Sequence, residues 1–342
     1  MALHATRSFN YGSVKGISIG SWTVSSTKKP IMNAQECDDA SAQLHCPLPE
    51  ICFGNNLLSV KDSESGLEMR WSMLPALQQV ARDTAVKVAH ASTWGRGQAA
   101  GGNSDVKVQK PYDWTYTTAY TGDVTLSKVD LPKPRPPPQF EPAPASHPGI
   151  PLHTLARTDI PILFYDEVPL FEDELGDNGS ADLTCRVISI FGTSKRVNSH
   201  SAFILSRFFL RIDLVLFRVF DVRTYFDFQA RQVIRESRGR QASYNTIKRR
   251  IPLDKRNDLT MLTDANWVAS QLDALAATQT PTSAKCSGQT TSLSRLAGAP
   301  VGRIPLNASA ASSDSSASVE SLTLTDLPVW DAEGSKLELL HL

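Results

Sequence analysis

The stretch Ala202 to Phe228, AFILSRFFLRIDLVLFRVFDVRTYFDF, constrains the fold most. Its apolar residues follow no helical period, and β-branched and aromatic side chains dominate, which predicts two adjacent strands of a core sheet. Along the first, Phe203, Leu205, Phe209 and Arg211 point one way, and Ala202, Ile204, Phe208, Leu210 and Ile212 the other. Both faces are mainly apolar, so both must be covered. Asp213 and Leu214 mark the expected reversal into Val215 to Asp221, although Asp-Gly would be the stronger hairpin signal. A membrane span is excluded by the several charges in this window, since a central Arg or Asp costs about 2.5 to 3.5 kcal/mol on insertion scales. A soluble sheet protein is expected.

The chain of 342 residues, 41% of them hydrophobic, has enough apolar material for a real core. Lys plus Arg balances Asp plus Glu at 35 each, so no overall charge draws it to nucleic acid or to an anionic membrane. The 5 cysteines, Cys37, Cys46, Cys52, Cys185 and Cys286, show no repeated spacing and predict no disulfide framework. With no apolar signal segment at the start, the expected compartment is the cytoplasm or the nucleus.

In chain order, residues 1 to 15 are polar and aperiodic and read as loose, and Ile17 to Val24 is the first predicted strand. Asn33 with Glu36 reads as a capping box opening an amphipathic helix that Pro47 stops. Leu57 to Val60 and Gly66 to Trp71 predict paired strands. Pro75 opens a helix along Leu77, Val80, Ala81, Thr84 and Val88. The glycines of GRGQAAGGNSD, from Gly95, are out of step with a dinucleotide-binding loop and read as surface loop. Lys110 to Tyr120 alternates aromatic and threonine residues like a strand, whereas the prolines of 131–151 predict an extended insertion with neither helix nor ladder. Ile160 to Leu170 and Leu183 to Val187 read as strands around the turn Asp177-Asn178-Gly179. The basic run Arg231 to Arg256 reads as solvated loop charge followed by a short helix from about Ser243. Thr263 is the expected cap of a last helix through Trp267, Leu272 and Leu275. From Gln279 on, Ser, Thr and Ala predict a disordered tail dispensable for folding.

Reactive constellations are scarce. The 7 histidines are scattered, and His45, Cys46 and Cys52 form only a loose group, so neither a metal site nor a cofactor is expected. The acidic cluster Asp166, Glu167, Glu172, Asp173 and Glu174 is the single arrangement resembling catalytic machinery, through paired carboxylates. Carboxylates in solvated turns look the same. The residues alone therefore leave three readings: a binding module, a carboxylate-dependent hydrolase using Asp166 to Glu174, or a scaffold recruited through its proline-rich segment.

KPYDWTYTT (Lys110 to Thr118), LFEDELGDNG (Leu170 to Gly179) and RFFLRID (Arg207 to Asp213) followed by VLFRVFDVRTY resemble the TOR signalling pathway regulator-like (TIPRL) family of phosphatase regulators. GSWTVSSTKKPIM, LPEICFGNN and NDLTMLTDANWVAS extend the similarity to about three quarters of the chain, and the last has a fungal character. The resemblance implies an α+β fold of antiparallel sheets with flanking helices, one regulator domain over 1–278 and a tail over 279–342. It implies a non-enzymatic protein without cofactors that binds and restrains the catalytic subunits of type 2A, type 4 and type 6 Ser/Thr phosphatases, alongside an alpha-four-type partner. The phosphatase-facing positions that it carries over are Ile150, Val219 and Asp221, and exchanging Asp221 is then expected to weaken partner binding with little effect on folding. The chain departs from the family in lacking an acid in GLEMRWSMLPAL and in a longer proline-rich segment. It also has extra residues near 188–196, which are either a surface excursion or an artefact of the gene sequence.

Overall fold

The computed structural model describes residues 6–80, 114–126, 139–194, 197–279 and 335–342, and it places the apolar stretch at the middle of an antiparallel sheet. Strands β11 (Val197–Ile212) and β12 (Leu216–Asp227) pair from Ser201 opposite Asp227 to Ile212 opposite Leu216. Asp213 to Val215 link them, with Leu214 exposed and left-handed at φ 62° and the Val215 N–H donating to the Ile212 carbonyl at 3.0 Å. A three-residue hairpin link requires one left-handed residue. Leu supplies it here at a backbone cost of about 1 to 2 kcal/mol.

Eight strands form this sheet, in the order β4 (Ile51–Cys52), β9 (Ile162–Asp173), β10 (Gly179–Ser194), β11, β12, β13 (Gln232–Ser243), β14 (Lys336–His341) and β8 (Glu141–Pro142). A second, six-stranded sheet runs β1 (Thr6–Tyr11), β2 (Val14–Ile19), β3 (Trp22–Thr27), β5 (Leu57–Asp62), β6 (Leu67–Ser72) and β7 (Asp123–Leu126). Ala202, Ile204, Phe208 and Leu210 are buried in one cluster with Ile17, Val24, Leu58 and Val60 of the second sheet, so the even positions of β11 line the core between the sheets. Trp22 crosses that gap, stacking on Phe228 at 4.7 Å and meeting Phe226 edge-on at 6.0 Å. The odd positions face outward, where Phe209 packs beneath α4 (Tyr244–Lys248) and α5 (Ala265–Gln279). The α+β antiparallel architecture agrees with the sequence reading, and among the described residues no helix is long and apolar enough to cross a membrane.

Local signals hold where the chemistry is short-range. Asn33 and Glu36 form the expected capping box of α1 (Ala34–Leu44), and the Ser243 hydroxyl accepts the Thr246 N–H at the start of α4. Several expectations are corrected. Residues 6–11 are a strand, and Ile17 to Val24 spans a hairpin with Gly20 at its turn rather than one strand. Helix α2 is only Met73–Gln78, because Val80 leaves it to bridge Thr118; Ala81, Thr84, Val88 and the glycine loop lie outside the described residues. Residues 114–120 are not a strand: Tyr116 is left-handed at φ 55° and gives its hydroxyl to the Leu48 carbonyl, while Tyr120 donates to Arg70 and Asp123. Within the proline-rich segment, Glu141–Pro142 pairs with Leu339 and Glu338, since an edge position tolerates the missing proline N–H. The extra residues near 188–196 lengthen the β10–β11 hairpin, pairing out to Ser194 opposite Val197. The basic run begins as strand β13, not as a loop. The cap of α5 is Asp264, whose carboxylate accepts the Asn266 and Trp267 N–H groups at 2.8 and 3.3 Å, and not Thr263. Finally, the expected tail ends in β14, with Leu339 and Leu340 buried and Glu338 paired to Arg235 at 2.7 Å, so the last residues belong to the sheet. A composition average over 279–342 cannot see a six-residue strand at its end.

Candidate outer-face site

Alternation along β12 sends Phe217, Val219, Asp221, Arg223 and Tyr225 to the outer face of the large sheet. Phe217 and Val219 are fully buried under α4 and α5, whose Ile247, Val268 and Leu272 complete that cluster. At the other end Tyr225 lies with Ile234, Leu339 and Ile150 in a separate apolar cluster, next to α3 (Leu152–Leu155). Ile150, Val219 and Asp221 therefore share one face. The two apolar clusters flank a charged band rather than touching each other.

Asp221 is the centre of that band and is 1% exposed. Arg207, directly opposite on β11, grips it with two bonds, Nε at 2.7 Å and Nη2 at 2.8 Å, and Arg240 on β13 donates a third. Arg223 lies 4.0 Å away. Burial would raise the Asp221 carboxyl, but the hydrogen bonds and positive charge of Arg207 and Arg240 outweigh it and hold the group below the ordinary carboxylate range. Helix α5 closes the network from above. Its Asp273 accepts from Arg238 at 3.1 Å and from Arg240, and its Asn266 accepts from Arg207 at 2.9 Å and from Arg186 at 2.7 Å. Arg186 in turn holds Glu167 with bonds of 2.9 and 3.1 Å. A bidentate arginine with both partners fixed in strands is the strong form of this interaction.

Beside α5 a cavity of about 170 Å³ is lined by Glu172, Asp182, Arg186, Arg207, Phe209 and others. Glu172 and Asp182 are direct cross-strand partners. Burial, reinforced by the Glu172 charge, pushes the Asp182 carboxyl up to about 7.

The acidic cluster does not converge on one centre. Asp166 points inward, where it accepts from Ser26 and pairs with Lys28 at 2.8 Å and Lys15 at 3.1 Å; Asp173 accepts the Glu50 and Leu175 N–H groups at 3.0 and 2.7 Å. With Glu167 held by Arg186 on the opposite face, strand alternation disperses Asp166, Glu167 and Asp173, and of this cluster Glu172 lines the cavity, beside Asp182. The Cys52 thiol is buried and pushed up to about 12 by desolvation, and no group of His, Cys, Asp or Glu among the described residues is placed to hold a metal.

The expectation that exchanging Asp221 leaves folding nearly untouched does not survive this geometry, because the carboxylate is buried among arginines. Sequence reasoning also missed Arg207, Arg240 and the part played by α5. The spacing of Arg238 and Arg240 two residues apart, on one strand face beside Asp221, is the signal that would have found them.

Residues 51–248 match the family model described as the TIP41-like family. The chain is 37% identical over 272 residues to the type 2A phosphatase activator TIP41 of Saccharomyces cerevisiae, covering 74% of this chain and 70% of that protein. It is 33% identical to a TIP41-like protein of Dictyostelium discoideum, with 75% and 88% coverage, and 34% identical to one of Homo sapiens, with 67% and 77%.

Proposed function

Because this chain belongs to the TIP41-like family, we propose that it binds the catalytic subunits of type 2A-like Ser/Thr phosphatases and restrains their activity. The observation that carries the phosphatase-regulating part of this reading, and not its restraining sign, is the extent of similarity to two yeast proteins, from Saccharomyces cerevisiae and Schizosaccharomyces pombe, each named a type 2A phosphatase activator. On this reading the protein is a regulator and not an enzyme. It works in TOR signalling, with type 4 and type 6 subunits and an alpha-four-type protein as further partners, in the cytoplasm and the nucleus. What the outer face offers a partner is its half-buried charge, chiefly Arg186 and Arg223, held in place by the buried clusters beneath it. Asp221 and Val219, themselves buried, act by positioning what lies around them, chiefly Arg207, Arg223 and the seat of α5. Ile150 does the same for the second apolar cluster.

The test is affinity for purified type 2A, type 4 and type 6 catalytic subunits, followed by phosphatase activity in the complex. Arg223, half-buried on the outer face, is the informative position. Arg223→Gln should weaken binding about tenfold or more, as removing a charged interface contact does, with only a modest fall in melting temperature from the lost 3.4 Å pair with Glu236. Wild-type affinity in that variant would remove the outer face from the interface, and no binding of the unaltered protein to any of the three subunits would remove the function. Phosphatase activity that rises in the complex would reverse the sign of the regulation.

A further inference from the structure

Arginines along the sheet are matched to carboxylates: Arg186 to Glu167, Arg207 to Asp221, Arg231 to Asp62, Arg235 to Glu338. The run Lys248 to Arg256 differs. Lys248, Arg249, Arg250, Lys255 and Arg256 are all exposed, and no ion pair joins any of them to a carboxylate among the described residues. Asp254 is the one acid within the run, and Asp258 just beyond it feels the charge of Lys255, so five cations meet two anions, and Leu253 is 75% exposed. Arg250 does donate to Gln271 at 2.8 Å, which ties the run to α5. An exposed leucine within a run of net positive charge fits an acidic polypeptide that also carries apolar side chains. Single-stranded nucleic acid would want exposed aromatic faces, and Tyr244, the aromatic ring nearest in sequence, is buried against Phe217.

Such a polypeptide exists in the same chain. From Ile304 to Ser335 there is no Lys, Arg or His, while Asp314, Glu320, Asp326, Asp331 and Glu333 supply five carboxylates interleaved with Leu322, Leu324, Leu327 and Trp330. We propose that this acidic segment docks on the basic surface Lys248 to Arg256. The topology delivers it there. β14 runs antiparallel to β13 with Lys336 opposite Ser237 and His341 opposite Gln232, so the chain entering β14 arrives from the end at which β13 passes through Ser243 into α4 and the basic run. From Ser237 to Ser243 is about 20 Å of strand and α4 adds about 7 Å, whereas the twenty residues Asp314 to Glu333 reach up to roughly 66 Å when extended. Tethering at β14 puts the carboxylates at an effective concentration in the millimolar range, enough for contacts that would be weak between separate molecules.

Carbodiimide coupling of the dilute full-length protein, which joins amines to carboxylates in direct contact, tests this. The Lys336–Glu338 pair, 2.6 Å apart, is the internal control that coupling has worked. Peptide mapping should find Lys248 or Lys255 joined to carboxylates between Asp314 and Glu333, with yield falling about tenfold or more in 0.5 M NaCl. The double variant Arg249→Glu, Arg256→Glu keeps both amines and should lose these products while its melting temperature stays within about two degrees of wild type. Absence of the products beside a positive control, or yields indifferent to salt and to the double variant, would overturn the proposal. So would products joining differently isotope-labelled copies, which would assign the basic surface to a second molecule.

Discussion

Asp221 and Asp182 are acids on the same sheet face with opposite titration behaviour, and each predicts a measurable pH dependence. Asp221 is held ionised by Arg207 and Arg240, so its folded pKa lies below the unfolded value near 4. Its stabilisation is complete above that value and is lost as pH falls through the folded pKa. Asp221→Ala should therefore cost about 3 to 5 kcal/mol at pH 7, because it strips half-buried Arg207 of its carboxylate and leaves buried Arg240 with Asp273 alone. The deficit should narrow in acid. Denaturant titrations at several pH values measure this, and an unchanged midpoint at pH 7 would show that the arginines find other partners. Asp182, raised to about 7 by burial and by Glu172, behaves in reverse. The unfolded chain releases its proton near pH 4 and the folded chain near 7, so stability falls as pH rises between those values. Asp182→Asn should accordingly stabilise the protein by on the order of 2 to 4 kcal/mol at pH 8, an advantage that disappears by pH 4.

At the scale of elements, β14 is the one whose loss has the clearest consequence. It covers β13 with six paired residues, buries Leu339 and Leu340, and gives Arg235 the Glu338 carboxylate while Arg235 stacks on Phe140. Ending the chain after Gln279 should lower the melting temperature by several degrees, since a strand paired to β13 and β8 and carrying two buried leucines is worth several kcal/mol. A truncated protein that melts with the full-length one would show β14 to be dispensable. The same element shows why some of the fold was legible and some was not. The β11–β12 pair was readable because its apolar density admits no other arrangement, and α1 because Asn33 and Glu36 sit at fixed offsets. β13 and β14 were not, because their polar residues find partners only through long-range pairing: Arg240 with Asp221 and Asp273, Glu338 with Arg235. A charged strand whose charges cancel in the fold looks like a solvated loop until its partner is known. The candidate site shares that limit, for the face common to Val219 and Asp221 follows from strand periodicity, whereas their burial depends on α5 arriving from more than forty residues away in sequence.

Across the whole molecule, the two sheets are joined by one continuous apolar core and latched by polar groups at separate places. At β9 the Asp166 carboxylate, held low because its bonds to Lys28, Ser26 and Lys15 outweigh burial, reaches across to the second sheet. At the β12–β13 turn Arg231 donates to Asp62 at 2.8 Å on β5. Between them Trp22 on β3 fills the gap against Phe226 and Phe228. The large sheet has a further cluster under α4 and α5, but the inner faces of both sheets share one core, to which α1 and α2 also contribute. Unfolding should therefore be a single cooperative event. Trp22→Ala removes 3% exposed aromatic bulk from the six-stranded sheet and should cost about 3 to 5 kcal/mol, a large share of the 5 to 15 kcal/mol typical of a domain. The decisive observation is where that cost is felt. Hydrogen exchange of the β12 amides, which lie in the other sheet and pair only with β11 and β13, should accelerate by the full factor that the loss implies, about a hundredfold or more. If β12 kept its protection while β2 and β3 lost theirs, the sheets would be independent folding units and the shared core would not be what couples the charged outer face to the rest of the chain.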